Sequence, residues 1–143
     1  MPAPTTTPLG VVLARTAKTA GRAFDQALAA AGGSQPVWQI LISLKTRPAA
    51  NQRELADTVG IQGATLTHHL NGMETTGLVT RRRDPANRRV HLVELTETGE
   101  QLFRKLATAA IAHDQRLRKG FTDTEITQLT DLLHRLATNV TDT

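Results

Sequence analysis

The side chains best able to do chemistry fall in one stretch, from Gln62 to Arg89. Arg81, Arg82, Arg83, Arg88 and Arg89 crowd together, with Asp84 among them and Glu94 just beyond. These are five of the seventeen basic side chains of a 143-residue chain whose net charge is +4. Planar guanidinium groups at this density suit phosphate oxygens and a narrow minor groove; taken alone, the run also fits a solvated charged face. Just upstream, Gln62, Ala64, Thr65, Thr67, His68 and Asn71 offer small or hydrogen-bonding side chains and no carboxylate. Threonine methyls can touch thymine methyls, Asn71 can pair with adenine, and His68 can donate to guanine or phosphate.

Other chemistries find little support. His68 and His69 are adjacent, so on a helix they diverge by about 100° and do not readily share a metal. His113 and Asp114 have no nucleophile beside them, and there is no glycine-rich phosphate loop or HExxH motif. No catalytic residue is assigned and an enzyme is not expected. His113 with His134, Asp114 or Glu100 could gather in a folded dimer, which keeps a metal-responsive protein as an alternative, but their spacing does not demand it; no metal site and no cofactor are assigned. The absence of cysteine excludes disulfides, thiolate metal sites and a cysteine redox switch. Phe24, Trp38, Phe103 and Phe121 are the only aromatic side chains besides histidine, too few for base-stacking platforms. No apolar run approaches the roughly 18 residues of a membrane span, and MPAPTTTPLG lacks the basic and apolar regions of a signal peptide. A cytoplasmic protein without a membrane partner is the default expectation.

The elements that must position these residues are mostly helices. Residues 1–8, rich in proline and threonine, read as a disordered tail. Leu9, Val12, Leu13, Ala20, Phe24 and Leu28 recur at helical spacing until Gly32-Gly33 stops them. Pro36 suits the start of a second helix carrying Val37, Ile40, Leu41 and Leu44, with Pro48 ending it. Asn51 caps a short third helix, and Glu54 occupies a capping-box position. After Gly60 and Ile61 a fourth helix over about Gln62–Thr76 places Leu66, Leu70 and Met73 on one face; Ala64, His68, Asn71 and Thr75 lie opposite, flanked by Thr65 and Thr67. Gly77 ends it. Leu78–Arg81 and Val90–Leu95 read as strands around the turn chemistry of Asp84-Pro85-Ala86-Asn87. Thr96 caps a helix reaching about Lys119, and Thr122–Glu125 is a capping box for a last amphipathic helix.

Two short helices joined at Gly60 and followed at once by a basic hairpin make a winged helix-turn-helix. The fold class is therefore mainly α with a small β-wing. A single unit is expected over 9–143, with the winged helix at about 35–95 and dimerisation helices at about 9–31 and 96–140. The terminal helices carry more apolar surface than one small winged lobe covers, and a symmetric homodimer would cover it.

The stretch ELADTVGIQGATLTHHLNGMETTGLVTRRRDPANRRVHLVELTETG, Glu54 to Gly99, resembles the MarR (multiple antibiotic resistance regulator) family of bacterial transcription regulators. The most specific pieces are METTGLVTR, DPANRRV and LTETG, and the helix order extends the resemblance over about Leu9–Val140. It implies a homodimeric winged helix binding a palindromic operator in double-stranded DNA. An Asp-x-Arg at the wing of that family positions an arginine for the minor groove. Matching places the arginine at Arg89 and puts Asn87 where the aspartate is expected, so an ion pair is lost. A recognition-helix position that is often arginine is His68 here.

The resemblance also implies a small-molecule effector, aromatic or phenolic, with Phe24, Trp38, Leu41, Phe103 and His113 as candidate pocket lining; plain core is the competing reading for each. The expected function is thus a DNA-binding transcriptional regulator, a repressor released by a ligand. Besides the metal-responsive regulator, the remaining alternative is a helical protein-interaction adaptor without DNA binding.

Overall fold

The computed structural model describes residues 2–3, 5–48 and 50–141. The disordered-tail reading of residues 1–8 falls partly on Met1 and Pro4, outside the described residues. The first helix, α1 (Leu9–Ala30), is followed by α2 (Gln35–Thr46), the two-residue strand β1 (Ala50–Asn51), α3 (Gln52–Val59), α4 (Gly63–Thr75), β2 (Val79–Arg83), β3 (His91–Leu95), α5 (Glu97–Arg118) and α6 (Asp123–Val140).

Local chemistry sets most boundaries. The Ser34 hydroxyl accepts from the Val37 amide at 3.4 Å and puts Pro36 in the first turn of α2, where a missing N–H costs nothing. The helix ends at Thr46, before Pro48, because Arg47 is already extended. The Asn51 side chain accepts from the amides of Arg53 and Glu54. Glu54 does not complete the expected capping box; its carboxylate meets Arg47 at 3.1 Å instead. Gly60 adopts φ 77°, a left-handed conformation that ends α3 and turns the chain into α4. At the start of α6, Thr122 and Glu125 do form the reciprocal capping box.

The sheet is three-stranded, in the order β1-β3-β2, all antiparallel. This corrects the two-stranded hairpin: Ala50 pairs with Val93 and Asn51 with Leu92. β2 also extends to Arg83, while β3 begins at His91, because the Asp84 amide donates to the Val90 carbonyl and closes the loop there.

The core gathers Leu28 from α1, Ile40, Leu41 and Leu44 from α2, Leu55 from α3, Leu66, Leu70 and Met73 from α4, Val79 and Val93 from the sheet, and Leu106 from α5. The sheet root is locked to α5 by close approach. A Cβ on Gly99 would stand 2.1 Å from the Leu78 carbonyl oxygen, and the Thr96 hydroxyl donates to the carbonyls at Gly77 and Leu78. α5 reaches α2 through Lys45, which binds both Glu100 carboxylate oxygens at 2.9 and 3.1 Å, and through Trp38 stacked on Phe103. No described helix is long and apolar enough to cross a membrane.

Candidate nucleic-acid interface

The buried stripe Leu66, Leu70 and Met73 fixes the rotation of α4. It leaves Gln62, Ala64, Thr65, His68, Asn71 and Thr75 exposed. Thr67 is half-buried and its hydroxyl is engaged twice: it donates to the Gly63 carbonyl and accepts from Gln52 Nε2, both at 2.9 Å. Thr67 therefore ties α4 to α3 and can offer only its methyl group outward. Thr75 likewise directs its hydroxyl to the Asn71 carbonyl. Gln62, the N-cap of α4, provides no side-chain acceptor for the first-turn amides, which suits a helix end facing phosphate. His68 and His69 touch edge to face, with centroids 5.6 Å apart.

The five wing arginines divide into two kinds. Arg81 turns back to α4: Nη2 donates to Asn71 Oδ1 at 2.6 Å and to Glu74 Oε1 at 3.1 Å, and Nε to Glu74 Oε2 at 3.4 Å. Its guanidinium is mostly covered, and its hydrogen bond to Glu74 holds that carboxyl below its ordinary value, with desolvation opposing. Arg81 and Asn71, both candidate DNA-contacting residues, are thus bonded to each other. They form one cluster because Arg81 shares a sheet face with Val79, the face turned to the core. Arg82, on the other face, pairs diagonally with Glu94 at 2.6 Å. Arg83 donates to the Arg88 carbonyl at 3.0 Å and staples the tip.

Arg88 and Arg89 stand exposed at the loop, and among the described residues no carboxylate pairs with Arg83, Arg88 or Arg89. Asn87 accepts from the Arg89 backbone amide at 3.2 Å, and the Asp84 side chain accepts from the Ala86 amide at 2.9 Å. The tip is thus shaped by backbone bonds, while its arginine heads stay unneutralised.

Between α3, the start of α4 and the loop end of the wing lies a cleft of about 680 Å³ bordered by Arg53, Asp57, Gln62, Thr67, Arg89 and His91. The side of the molecule that bears the recognition residues therefore also bears its concentrated positive charge.

The five candidate pocket residues are not gathered around one cavity. Leu41 is fully buried core, Trp38 stacks on Phe103 with centroids 5.6 Å apart, and Phe24 stacks on His113 at 4.9 Å. Only His113 borders an open groove, of about 470 Å³, between α1 and α5. Among the described residues no three histidine or carboxylate side chains cluster as metal ligands, so His113, His134, Asp114 and Glu100 do not gather within one chain.

Sequence reasoning missed β1, the Gln52–Thr67 tie and the Glu74–Arg81–Asn71 cluster. Glu74 and Arg81 did carry a signal, being opposite charges at the two ends of one helix-to-strand junction.

A family model described as "MarR family" matches residues 34–91. The uncharacterized HTH-type transcriptional regulator YdgJ of Bacillus subtilis (strain 168) is 30% identical over 112 residues, covering 78% of this chain and 68% of that protein. Among solved structures, the transcriptional repressor CouR bound to a 23-mer DNA duplex is 27% identical at a TM-score of 0.81, with 91% of this chain and 92% of that one aligned. A MarR-family transcriptional regulator from Rhodococcus sp. RHA1 is 28% identical at a TM-score of 0.77, with 92% and 96% aligned.

Proposed function

This chain belongs to the MarR family of winged helix-turn-helix, DNA-binding transcriptional regulators, and we propose that it binds a palindromic operator as a homodimer and acts as a repressor released by a small molecule. The observation that carries the reading is the exposed α4 face from Gln62 to Asn71, free of carboxylates, beside wing arginines 88 and 89 that have no acidic partner. In this reading α4 enters the major groove. Gln62, Ala64, Thr65, His68 and Asn71 lie at or near the base edges, with Thr67 contributing its methyl. Arg88 and Arg89 enter the neighbouring minor groove or clamp its phosphates, with Arg83 shaping the tip between them. Arg81 and Arg82 act from the wing root, where Glu74 and Glu94 already offset their charge. CouR, a repressor bound to duplex DNA, supports the same use of this fold.

The homodimer is supported by apolar surface on the terminal helices. Leu9 is 62% exposed, Ile111 60% and Leu132 51%, and no described residue of α6 is buried. A two-fold dimer would cover these helices and set two recognition helices about one DNA turn apart. For the effector, a small aromatic or phenolic molecule, the α1–α5 groove beside Arg15, His113 and Arg116 is the open site nearest the expected aromatic residues. Such a ligand acts by favouring one spacing of the recognition helices over another.

Titrating duplex binding against salt tests the reading. Phosphate contacts predict a linear fall of log affinity with log salt, and a two-fold-symmetric footprint on selected DNA is expected. Absence of salt-dependent duplex binding would favour the interaction adaptor.

A further inference from the structure

The Glu74–Arg81–Asn71 cluster bears on which base the recognition helix can accept, given the reading above that α4 lies in the major groove. Arg81 is held by two bonds to Glu74, and its Nη2 meets the Asn71 side chain at 2.6 Å. A guanidinium can only donate, so the atom facing it must be the amide oxygen. The Asn71 amide is therefore oriented, and Nδ2, with its two N–H donors, is the atom left free. The side chain is exposed on the same helix face as His68. The Thr75 hydroxyl, bonded to the Asn71 backbone carbonyl, does not compete for the amide.

An unencumbered asparagine recognises adenine with both ends of its amide, the oxygen accepting from N6 and the nitrogen donating to N7. Here Oδ1 already accepts from a guanidinium, so an adenine amino group would have to share that oxygen with a positively charged donor. Guanine offers the opposite edge: O6 and N7, two adjacent acceptors and no donor. We propose that Asn71 works as a donor-only reader that selects guanine over adenine, and that Arg81 is the positioning residue that sets this polarity. Glu74 anchors Arg81 so that its orientation does not depend on DNA.

The test is selection from a random duplex library by the purified full chain, by Asn71→Ala and by Arg81→Ala, each first checked for folding by thermal melting. Asn71→Ala should identify one base pair per half-site by lowering discrimination there about tenfold. That pair should be G·C for the unsubstituted chain and should shift toward A·T for Arg81→Ala. A third arm needs no variant. With adenine placed at that position in a synthetic operator, removing its amino group by substituting purine should tighten binding by the unsubstituted chain about tenfold. Selection of A·T by the unsubstituted chain, an Asn71→Ala profile with no altered position, or no gain with purine would each overturn the proposal while leaving operator binding intact. Failure to select any duplex would overturn it together with the DNA-binding reading.

Discussion

The winged lobe and the terminal helices solve the burial problem differently. In the lobe every element contributes to a shared core; Leu66, Leu70, Val93 and Leu41 are completely covered. In α6, Leu129, Leu132 and Leu133 form a stripe that stays exposed among the described residues, although the helix opens on a complete capping box. A helix of this length is marginal in water by itself, so local signals such as a capping box are not enough to hold it. On the homodimer reading proposed above, α6 and the outer parts of α1 and α5 are completed by association, whereas the lobe is packed by its own contacts. That contrast separates two kinds of substitution, those that unfold the lobe and those that separate its copies.

The largest expected effect lies on the uncovered side. Leu132→Glu places a charge in the stripe without touching the lobe core. On the homodimer reading it should convert the chain to a monomer in sedimentation and lower operator affinity about a hundredfold or more, as two linked half-site contacts become one. A dimer with unchanged affinity would move the interface off α6. Next comes the covered side: Leu70→Ala should lower stability to urea by about 2–5 kcal/mol, the usual range for a leucine removed from a packed core. A loss below about 1 kcal/mol would mean that α4 is less firmly seated than its burial implies.

Much of this contrast was legible in the sequence. The helical spacing of Leu66, Leu70 and Met73, the glycines at 60 and 77, and the Thr122–Glu125 box are local signals, and each appears where the sequence places it. β1 was not legible, because two residues paired to a strand some forty positions away carry no periodicity of their own. The wing arginines were legible as a group but not as individuals. Whether an arginine is free or engaged depends on which sheet face it occupies and which carboxylate lies across from it, both products of register. The candidate pocket residues were legible as aromatic but not as partners: Phe24 stacks on His113 and Trp38 on Phe103, pairings that only tertiary packing decides.

The division among the arginines gives the third prediction. Arg89→Ala should weaken operator binding by about 1–2 kcal/mol and reduce the salt slope by about one, while dimer and melting temperature stay unchanged. Arg82→Ala should cost less, because Glu94 already neutralises that guanidinium at 2.6 Å. Equal losses at the two sites would show that the Arg82–Glu94 pair opens on DNA. A loss of folding in Arg89→Ala would make Arg89 part of the wing's structure.

The smallest expected effect concerns the joint between α4 and the wing. The hydrogen bond from Arg81 holds the Glu74 carboxyl below its ordinary value of 4.5, with desolvation opposing and the charge of Arg81 adding to the lowering. A carboxylate with a depressed folded value binds fewer protons in the native state than in the unfolded one. Its contribution to stability is therefore present above the ordinary carboxylate value and is lost as the pH falls through that value and then through the depressed one. The stability difference between the unsubstituted chain and Glu74→Gln should accordingly be greatest near neutral pH and shrink on acidification through this range. Glu74 is exposed even though Arg81 is mostly covered, so the difference should also shrink in high salt. Melting both proteins across pH at low and high salt checks this. A difference that ignores both would show that Glu74 holds Arg81 by shape and hydrogen-bond direction rather than by charge, and the joint would then resemble the packed lobe more than the charged wing.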